Sequence, residues 1–253
     1  MKRENFDVIL LAAGYSTRLY PLTKNFPKHL LEIGGKPVIT SIVEKLEGLN
    51  GVNRTYIVTN NRYFPHFVEW KRNLNTTLEI EILNDGTMSE EHRLGAIGDT
   101  YFVIKEKEIA NPLMVVCADN LFDFQLNELV SYFRKKERDV ISVSVVTDKT
   151  MLRHLGVVSL DEDNKIVLFK EKPEEPFSNL ATNGIHLYTR ETVAMIKEYL
   201  MQGNNPDQPG RFLEWLYPRK DVYGFISKGR IIDIGTSESL EKARKEFTFS
   251  SYS

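Results

Sequence analysis

Residues 6–13 read FDVILLAA and residues 14–31 continue GYSTRLYPLTKNFPKHLL, so an almost unbroken apolar run empties into a polar segment with two prolines and the cations Arg18 and Lys28. A run without polar alternation suits a parallel strand covered on both faces. Outward from it the chain repeats one pairing. Pro37 opens VITSIVEKLEGL, where Val38, Ile42, Leu46 and Leu49 recur at helical spacing and the proline suits a first helical position. TYIVTN (55–60) precedes RYFPHFVEWKRNL, whose Tyr63, Phe64, Phe67 and Trp70 form a stripe expected to pack a helix onto a sheet. LEIEILND (78–85) precedes a helical stretch from about 94 to 107, and PLMVVCAD (112–119) precedes QLNELVSYFRKK and then DVISVSVV. Strand followed by helix, several times over, predicts an α/β, Rossmann-like fold: a mostly parallel (mixed) sheet with helices on both faces. Ligands in such folds gather at the carboxyl ends of the strands.

The second half reads as β-rich. GVVSLDEDNKIVLFKEKP predicts a hairpin turning at Asp161 to Asn164, ATNGIHLYT a further strand, and VYGFISKGRIIDIG strands turning at Ser227 to Gly229. Without a linker or an internal repeat, the expectation is a single domain with a substrate-binding lobe in its second half. The serine-rich residues 249–253 read as a frayed tail.

Composition narrows the partners. With 253 residues, 42% of them hydrophobic, the chain is long enough for a substantial core. A formal net charge of -2, from 33 basic and 35 acidic side chains, carries no polyelectrolyte signal for nucleic acid or anionic membrane. Any bound anion must therefore be met by local placement of charge. The single cysteine, Cys117, lies in an apolar run, which excludes a disulfide framework and argues for a reducing, cytoplasmic location. The apolar stretch after the basic start is too short for a signal segment or membrane span.

Local chemistry concentrates after the first strand. Ala12, Ala13 and Gly14 have little or no side chain, so a ligand can lie against backbone whose amides are free to meet phosphates. Arg18 offers a planar fork for phosphate oxygens and Lys28 a mobile point charge. Together they describe a triphosphate seat, although Gly-x-Ser alone reads as an ordinary surface turn. Asp119 and Asp233 each follow an apolar strand and would project at the sheet's carboxyl edge, suiting the hard oxygen ligands that magnesium needs. Each taken singly also reads as a capping or turn aspartate, and Asp85 and Asp123 compete with them locally. The histidines show no metal-cluster spacing, and His29 beside Lys28 reads as packing.

Residues 11–31 closely resemble LAAGxGTRLxPLTxxxPKxLL, the signature of the sugar nucleotidyltransferases, the pyrophosphorylases that join a nucleoside triphosphate to a sugar 1-phosphate. The resemblance runs on in order through Arg93-Leu94-Gly95-Ala96-Ile97-Gly98, Cys117-Ala118-Asp119-Asn120, Glu171-Lys172-Pro173, Asn183-Gly184 and Asp233-Ile234-Gly235-Thr236. It implies a nucleotide-binding part at about 1–150, a sugar-phosphate-binding part at about 151–236 and a last helix at about 237–247. It also implies catalytic roles for Arg18, Lys28 and Lys172, and a nucleotide site built from Leu11, Ala12, Ala13, Gly14, Ser16, Thr17, Asn84, Asp85, Gly86 and Gly95. Glu171, Lys172, Asn183 and Gly184 would meet the sugar phosphate, and Asp119 and Asp233 would hold Mg2+.

Departures from the pattern are few. Ser16 replaces the commoner glycine, a change that is tolerable if its backbone angle is ordinary, and Ala118 adds one methyl where glycine is usual. The segment TMSEEHR lengthens the base-binding loop, which leaves open the side chain that reads the base. The resemblance implies transfer from dTTP or UTP to a hexose 1-phosphate, glucose 1-phosphate first, by a monofunctional enzyme that forms homo-oligomers in many relatives. Two alternatives stand beside it: a cytidylyltransferase acting on a polyol, choline or other non-hexose phosphate, and a non-catalytic nucleotide-sensing subunit.

Overall fold

In the computed structural model, which describes residues 4–247, all six residues of β1 (Phe6–Leu11) are buried, as an apolar run in a doubly covered strand requires. The tail expected at 249–253 lies outside the described residues. After β1 the chain makes the short hairpin β2 (Glu32–Ile33) and β3 (Lys36–Pro37), then α1 (Val38–Glu47), β4 (Val52–Thr59), α2 (Phe64–Arg72), β5 (Ile80–Asn84) and α3 (Ala96–Glu106). Next come β6 (Leu113–Cys117), β7 (Asn120–Phe122), α4 (Asn127–Lys136), β8 (Asp139–Val145), the short α5 (Lys149–Leu152), β9 (Gly156–Leu160), β10 (Ile166–Glu171) and β11 (Leu180–Tyr188). The chain closes with α6 (Arg190–Met201), α7 (Pro209–Leu216), β12 (Val222–Ile226), β13 (Ile231–Asp233) and α8 (Ser237–Glu246).

Nine strands form one mixed sheet in which β5-β4-β1-β6 are parallel and β11 joins β6 antiparallel. The second-half strands β9 and β10 extend that same sheet antiparallel, while β12 lies parallel to β8 on a branch from β11. The hairpin at 161–164 forms as predicted, with Asp161 Oδ1 accepting from the amides of Asp163 and Lys165. The stretch 222–235 corrects the expectation of two strands folded on each other. β12 stays in the large sheet, whereas β13 leaves it to pair antiparallel with β7, and Arg230 donates from its amide and guanidinium to Asp123 at the crossing. Asp123 is thereby committed to a loop anchor.

Side-chain alternation along β1 divides the core. Val8, Leu10 and Ala12 face Ile39, Ile42, Val43 and Leu46 of α1, with Tyr63, Phe67 and α4 beside them. Ile9 and Leu11 face Ile97 and Val103 of α3, backed by α6 and α7. Burial of each such aliphatic side chain is worth roughly 1.5–3 kcal/mol against exposure, so the helices are held chiefly by these faces. A third cluster, Leu19, Leu121, Ile232, Ile234 and Leu240, ties α8 and the β13-β7 pair to the loop after β1. That small cluster sets Asp233 beside the end of β6. Among the described residues no helix is long and apolar enough to cross a membrane.

Candidate active site

The loop after β1 is fixed by side chains from the next strand–helix connection. Asn60 donates its amide to the Ala13 carbonyl, and the buried Tyr63 hydroxyl lies 2.9 Å from the Tyr15 carbonyl and 2.6 Å from that of Thr23. Thr23 in turn donates to the Ser16 carbonyl at 2.8 Å. Within this frame Ser16 has φ 54° and ψ 37°, the left-handed region. The condition attached to Ser16 therefore fails: the position is one that glycine adopts freely and serine occupies at a cost of about 1 kcal/mol or more.

Lys28 stands on a one-turn helix opened by Pro27 and places Nζ 2.5 Å from Asp119 Oδ2. Asp119 follows β6, where the Ala118 amide bonds to the Leu11 carbonyl, and its own carbonyl accepts from the Ile234 amide at 3.0 Å. Since Asp233 is in register with Asn120 across β7-β13, the two aspartates are neighbours contributed by distant parts of the chain. Arg18 reaches the same place: a Cβ built on Gly235 would lie 3.0 Å from an Arg18 Nη and 3.3 Å from the Asp233 carboxylate.

The electrostatics are tightly linked. Burial alone would depress the Lys28 ammonium, but the charges of Asp119 and then Asp233, with the Asp119 hydrogen bond, hold it above its ordinary value. Burial alone would raise Asp119, yet Lys28, His29 and the Lys28 hydrogen bond bring it below the usual carboxylate range. Asp233 meets solvent at the cleft mouth, but enclosure by its walls, then the Asp119 charge, push it up to about 6 against the pull of Lys28, Arg18 and Lys172. Two carboxylates raising one another's cost of ionisation make a donor set suited to a divalent cation. Among the described residues no group of three or more His, Cys, Asp or Glu side chains is placed to hold a metal by itself. Magnesium takes one or two carboxylates and completes its shell from phosphates and water, so Asp119 and Asp233 are the residues that could hold it here. His29 is buried against Phe67 and held near pH 3 by burial and the Lys28 charge, so it packs as a neutral ring. Cys117 is pushed upward by burial and then by Asp119, which makes it a poor nucleophile.

A cavity of about 310 Å³ opens at this sheet edge. Leu11, Ala13, Gly14, Ser16, Thr17, Arg18, Lys28, Gly95 and Asp119 line it. Ala12 instead faces the core, and Asn84, Asp85 and the exposed Gly86 do not line the cavity. The Asn84 amide bonds to Asn61, and Asp85 Oδ1 accepts from the amide and hydroxyl of Thr87. Glu171 is buried close to two glycines, 156 and 210, while Lys172 is exposed and its charge reaches Glu171, Asp207 and Asp233. Gly184, at φ 76°, makes the bulge in β11, and any side chain there would approach Asn120 Nδ2 to 2.5 Å. The Asn183 amide is held by the Ser144 hydroxyl of β8 at 2.9 Å, within the sheet and off the cavity wall.

Glu90, Arg93, Asp99 and Asp207 also stand in the wall, and the sequence reading gave none of them a site role, although Arg93 opens the RLGAIG motif and Glu90 lies in TMSEEHR. Arg93 binds Asp207 through both forks, at 2.8 and 3.0 Å, across 114 residues. The amides of Ala96 and Ile97 donate to the carbonyls of Asp207 and Pro206, so the loop before α7 caps α3. Gly95, at φ 79°, leaves no room for a side chain, since a Cβ would stand 2.6 Å from the Pro206 carbonyl oxygen. No local pattern ties the NNPDQPG loop to Arg93; only the Gly in RLGAIG hinted at a close approach.

Comparison with known proteins bears on the family and the fold. A family model described as nucleotidyl transferase matches residues 7–249. The bifunctional protein GlmU of Methanocaldococcus jannaschii is 27% identical over 239 residues, covering 94% of this chain and 53% of that protein. A glucose-1-phosphate adenylyltransferase of Bacillus cytotoxicus is 27% identical over 264 residues, covering 97% and 69%. This chain thus spans from about half to about two thirds of the length of these curated relatives. Among solved structures, a Bacillus anthracis protein assigned as a glucose-1-phosphate thymidylyltransferase superposes with a TM-score of 0.80 at 23% identity, over 98% of this chain and 97% of that one. A UDP-glucose pyrophosphorylase complexed with UDP-glucose gives 0.79 at 23% identity, over 95% and 97%.

Proposed function

The chain belongs to the nucleotidyl transferase family, and from that premise we propose that it transfers a nucleoside monophosphate from dTTP or UTP to a hexose 1-phosphate, glucose 1-phosphate first, with magnesium, releasing pyrophosphate. The observation that carries the reading is the cluster of Lys28, Arg18, Asp119 and Asp233 at the carboxyl edge of β1 and β6. Attack of one phosphate oxygen on the α-phosphorus of a triphosphate brings two polyanions together, so a catalyst must mainly align them and supply positive charge.

Arg18 would clamp the β- and γ-phosphates with its fork and steady the departing pyrophosphate. Lys28, already desolvated and charged, would meet the α-phosphate as charge builds there, a role in which one preorganised donor is worth about 3 kcal/mol. Lys172 would hold the incoming sugar phosphate, and Glu171 would accept from sugar hydroxyls. Asp119 and Asp233 would hold the magnesium ion, which when bound neutralises and orients the phosphates.

The test is pyrophosphate release, with and without magnesium, across five nucleoside triphosphates and a panel of sugar, polyol and choline phosphates, with Asp233→Asn as control. Magnesium-dependent release with dTTP or UTP and one hexose 1-phosphate, lost in the control, is the expected result. Release confined to CTP with a non-sugar phosphate would replace the proposed substrates, and silence throughout would overturn the activity.

A further inference from the structure

The wall of the cavity away from the phosphate-binding cations contains a second carboxyl pair. Asp99, in the first turns of α3, is 6% exposed and lines the cavity near Leu11 and Gly95. Behind it Asp85 closes the end of β5. Asp85 Oδ2 and Asp99 Oδ1 are both shut from solvent with no donor from any described residue, and the two carboxyl groups are close enough for a hydrogen bond to join them once one is protonated. Such a bond needs one proton. Because the amide and hydroxyl of Thr87 both donate to Asp85, at 2.7 and 2.8 Å, Asp85 carries the charge and Asp99 the proton. Burial, then the neighbouring Asp85 charge, keeps Asp99 neutral well above the usual carboxylate range. Because Asp99 lines the cavity and its Oδ1 is shut from solvent, Oδ2 is then left as the uncharged carboxyl acceptor available to a ligand.

We propose that Asp99 is the side chain that reads the nucleobase, accepting the N3–H of a uracil or thymine ring on Oδ2 while its other oxygen is bound to Asp85. The inference rests on the nucleotide reading given above and names the specificity group of that same site. A triphosphate offers no donor to this oxygen, and an ionised carboxylate here would repel it. A neutral acceptor beside Leu11, Ala13 and Gly95 instead suits a ring donor of a flat base, and the proposed dTTP or UTP substrate makes that donor the N3–H. Asp85 acts behind it as a positioning residue.

Asparagine mimics the protonated acid, because its amide donates to Asp85 and its carbonyl takes the place of Oδ2; leucine keeps the volume and removes both bonds. Calorimetric titration with UTP and with N3-methyl-UTP, in magnesium and without sugar phosphate, reads the contact directly. The expectation is a UTP dissociation constant within about threefold of wild type for Asp99→Asn and raised roughly tenfold for Asp99→Leu. N3-methylation should weaken wild-type binding by a similar factor and leave Asp99→Leu unaffected. Equal penalties for UTP and N3-methyl-UTP in Asp99→Leu would place the contact on the ribose and overturn the proposal, as would unchanged binding of N3-methyl-UTP to wild type. Should the leucine variant fail to fold, Asp99→Asn and the methylated nucleotide on wild type still decide. Pyrophosphate release confined to ATP, CTP or GTP would overturn the base reading and leave the transferase, whereas a protein that binds no triphosphate loses both.

Discussion

Lys28→Met should separate the structural from the chemical part of the central ion pair. Methionine keeps most of the apolar stem and deletes the ammonium, which leaves Asp119 facing Asp233 without its 2.5 Å partner. Breaking a fully buried pair by removing one member costs about 3–5 kcal/mol, because the other charge is orphaned. The Asp119 side chain here is 24% exposed, so part of that charge can be rehydrated and a loss of about 2–3 kcal/mol is the better figure. For a domain of this size that corresponds to roughly 5–10 °C in Tm. Asp119→Asn added to Lys28→Met removes the orphaned carboxylate, and the double variant should recover more than half of the loss while staying inactive.

The assay is urea unfolding of wild type, both single variants and the double variant, read as a cycle across pH. The sign follows from the two shifts. Asp119, held below 3.8, adds stability that is present above that value and lost as pH falls through its folded value; Lys28, held above 10.5, adds stability present below that value and lost as pH rises through its folded value. The gap between wild type and Lys28→Met should therefore be fullest between about pH 7 and pH 10, narrow as pH falls because the orphaned Asp119, and Asp233 that stands near 6 even with Lys28 present, take up protons, and close on the alkaline side as Lys28 titrates. A Lys28→Met protein within about 0.5 kcal/mol of wild type at pH 7, or a double variant no more stable than the single, would refute the account of the pair.

Two further outcomes are expected. Gly210→Ala pushes a methyl into the Glu171 carboxylate and should raise the KM for the sugar phosphate by roughly tenfold or more while leaving the nucleotide KM unchanged, since a hydrogen bond to a charged group is worth about 1.5–3 kcal/mol; steady-state kinetics with each substrate varied in turn checks it. His29 is held near pH 3 and stays neutral in the fold while the unfolded chain takes up a proton below about 6.5, so stability falls with pH between those values by up to about 1.4 kcal/mol per unit for this residue; His29→Leu should flatten the acid limb of the unfolding free energy by that one proton.

The fold was legible because its strands announce themselves twice. FDVILLAA and LMVVCA are apolar on both faces only where helices cover both sides, and the helices between them carry their own stripes, so period alone ordered the first half. The path of residues 222–235 was not legible, since a turn at 227–229 says nothing about which strand each arm will pair with; the decision lies in the cluster of Leu121, Ile232 and Leu240, which is long-range. The same divide runs through the site. Arg18, Lys28 and Gly95 stand in dense local motifs and do line the cavity, whereas Asp99 and Asp207 sit in an amphipathic helix and a polar loop where carboxylates are ordinary. Asn84 and Asp85 do not line the cavity themselves, because Asx side chains after a strand serve turns as readily as ligands, and here they bond to Asn61 and Thr87.

Charge arithmetic then shows why the two halves must meet. Arg18, Lys28 and Lys172 bring three positive charges against two negative ones from Asp119 and Asp233, and much of the Lys28 charge is already engaged by Asp119. On the proposed reading that surplus is small against a triphosphate and a sugar phosphate together, which is why the proposal places a cation on the aspartates. The aspartates become neighbours only when β13 crosses to β7, and the crossing depends on Arg230 holding Asp123 and on α8 covering Ile232. On the proposed reading the C-terminal segment therefore serves the site through geometry, since without it Asp119 would face Lys28 as a simple structural ion pair.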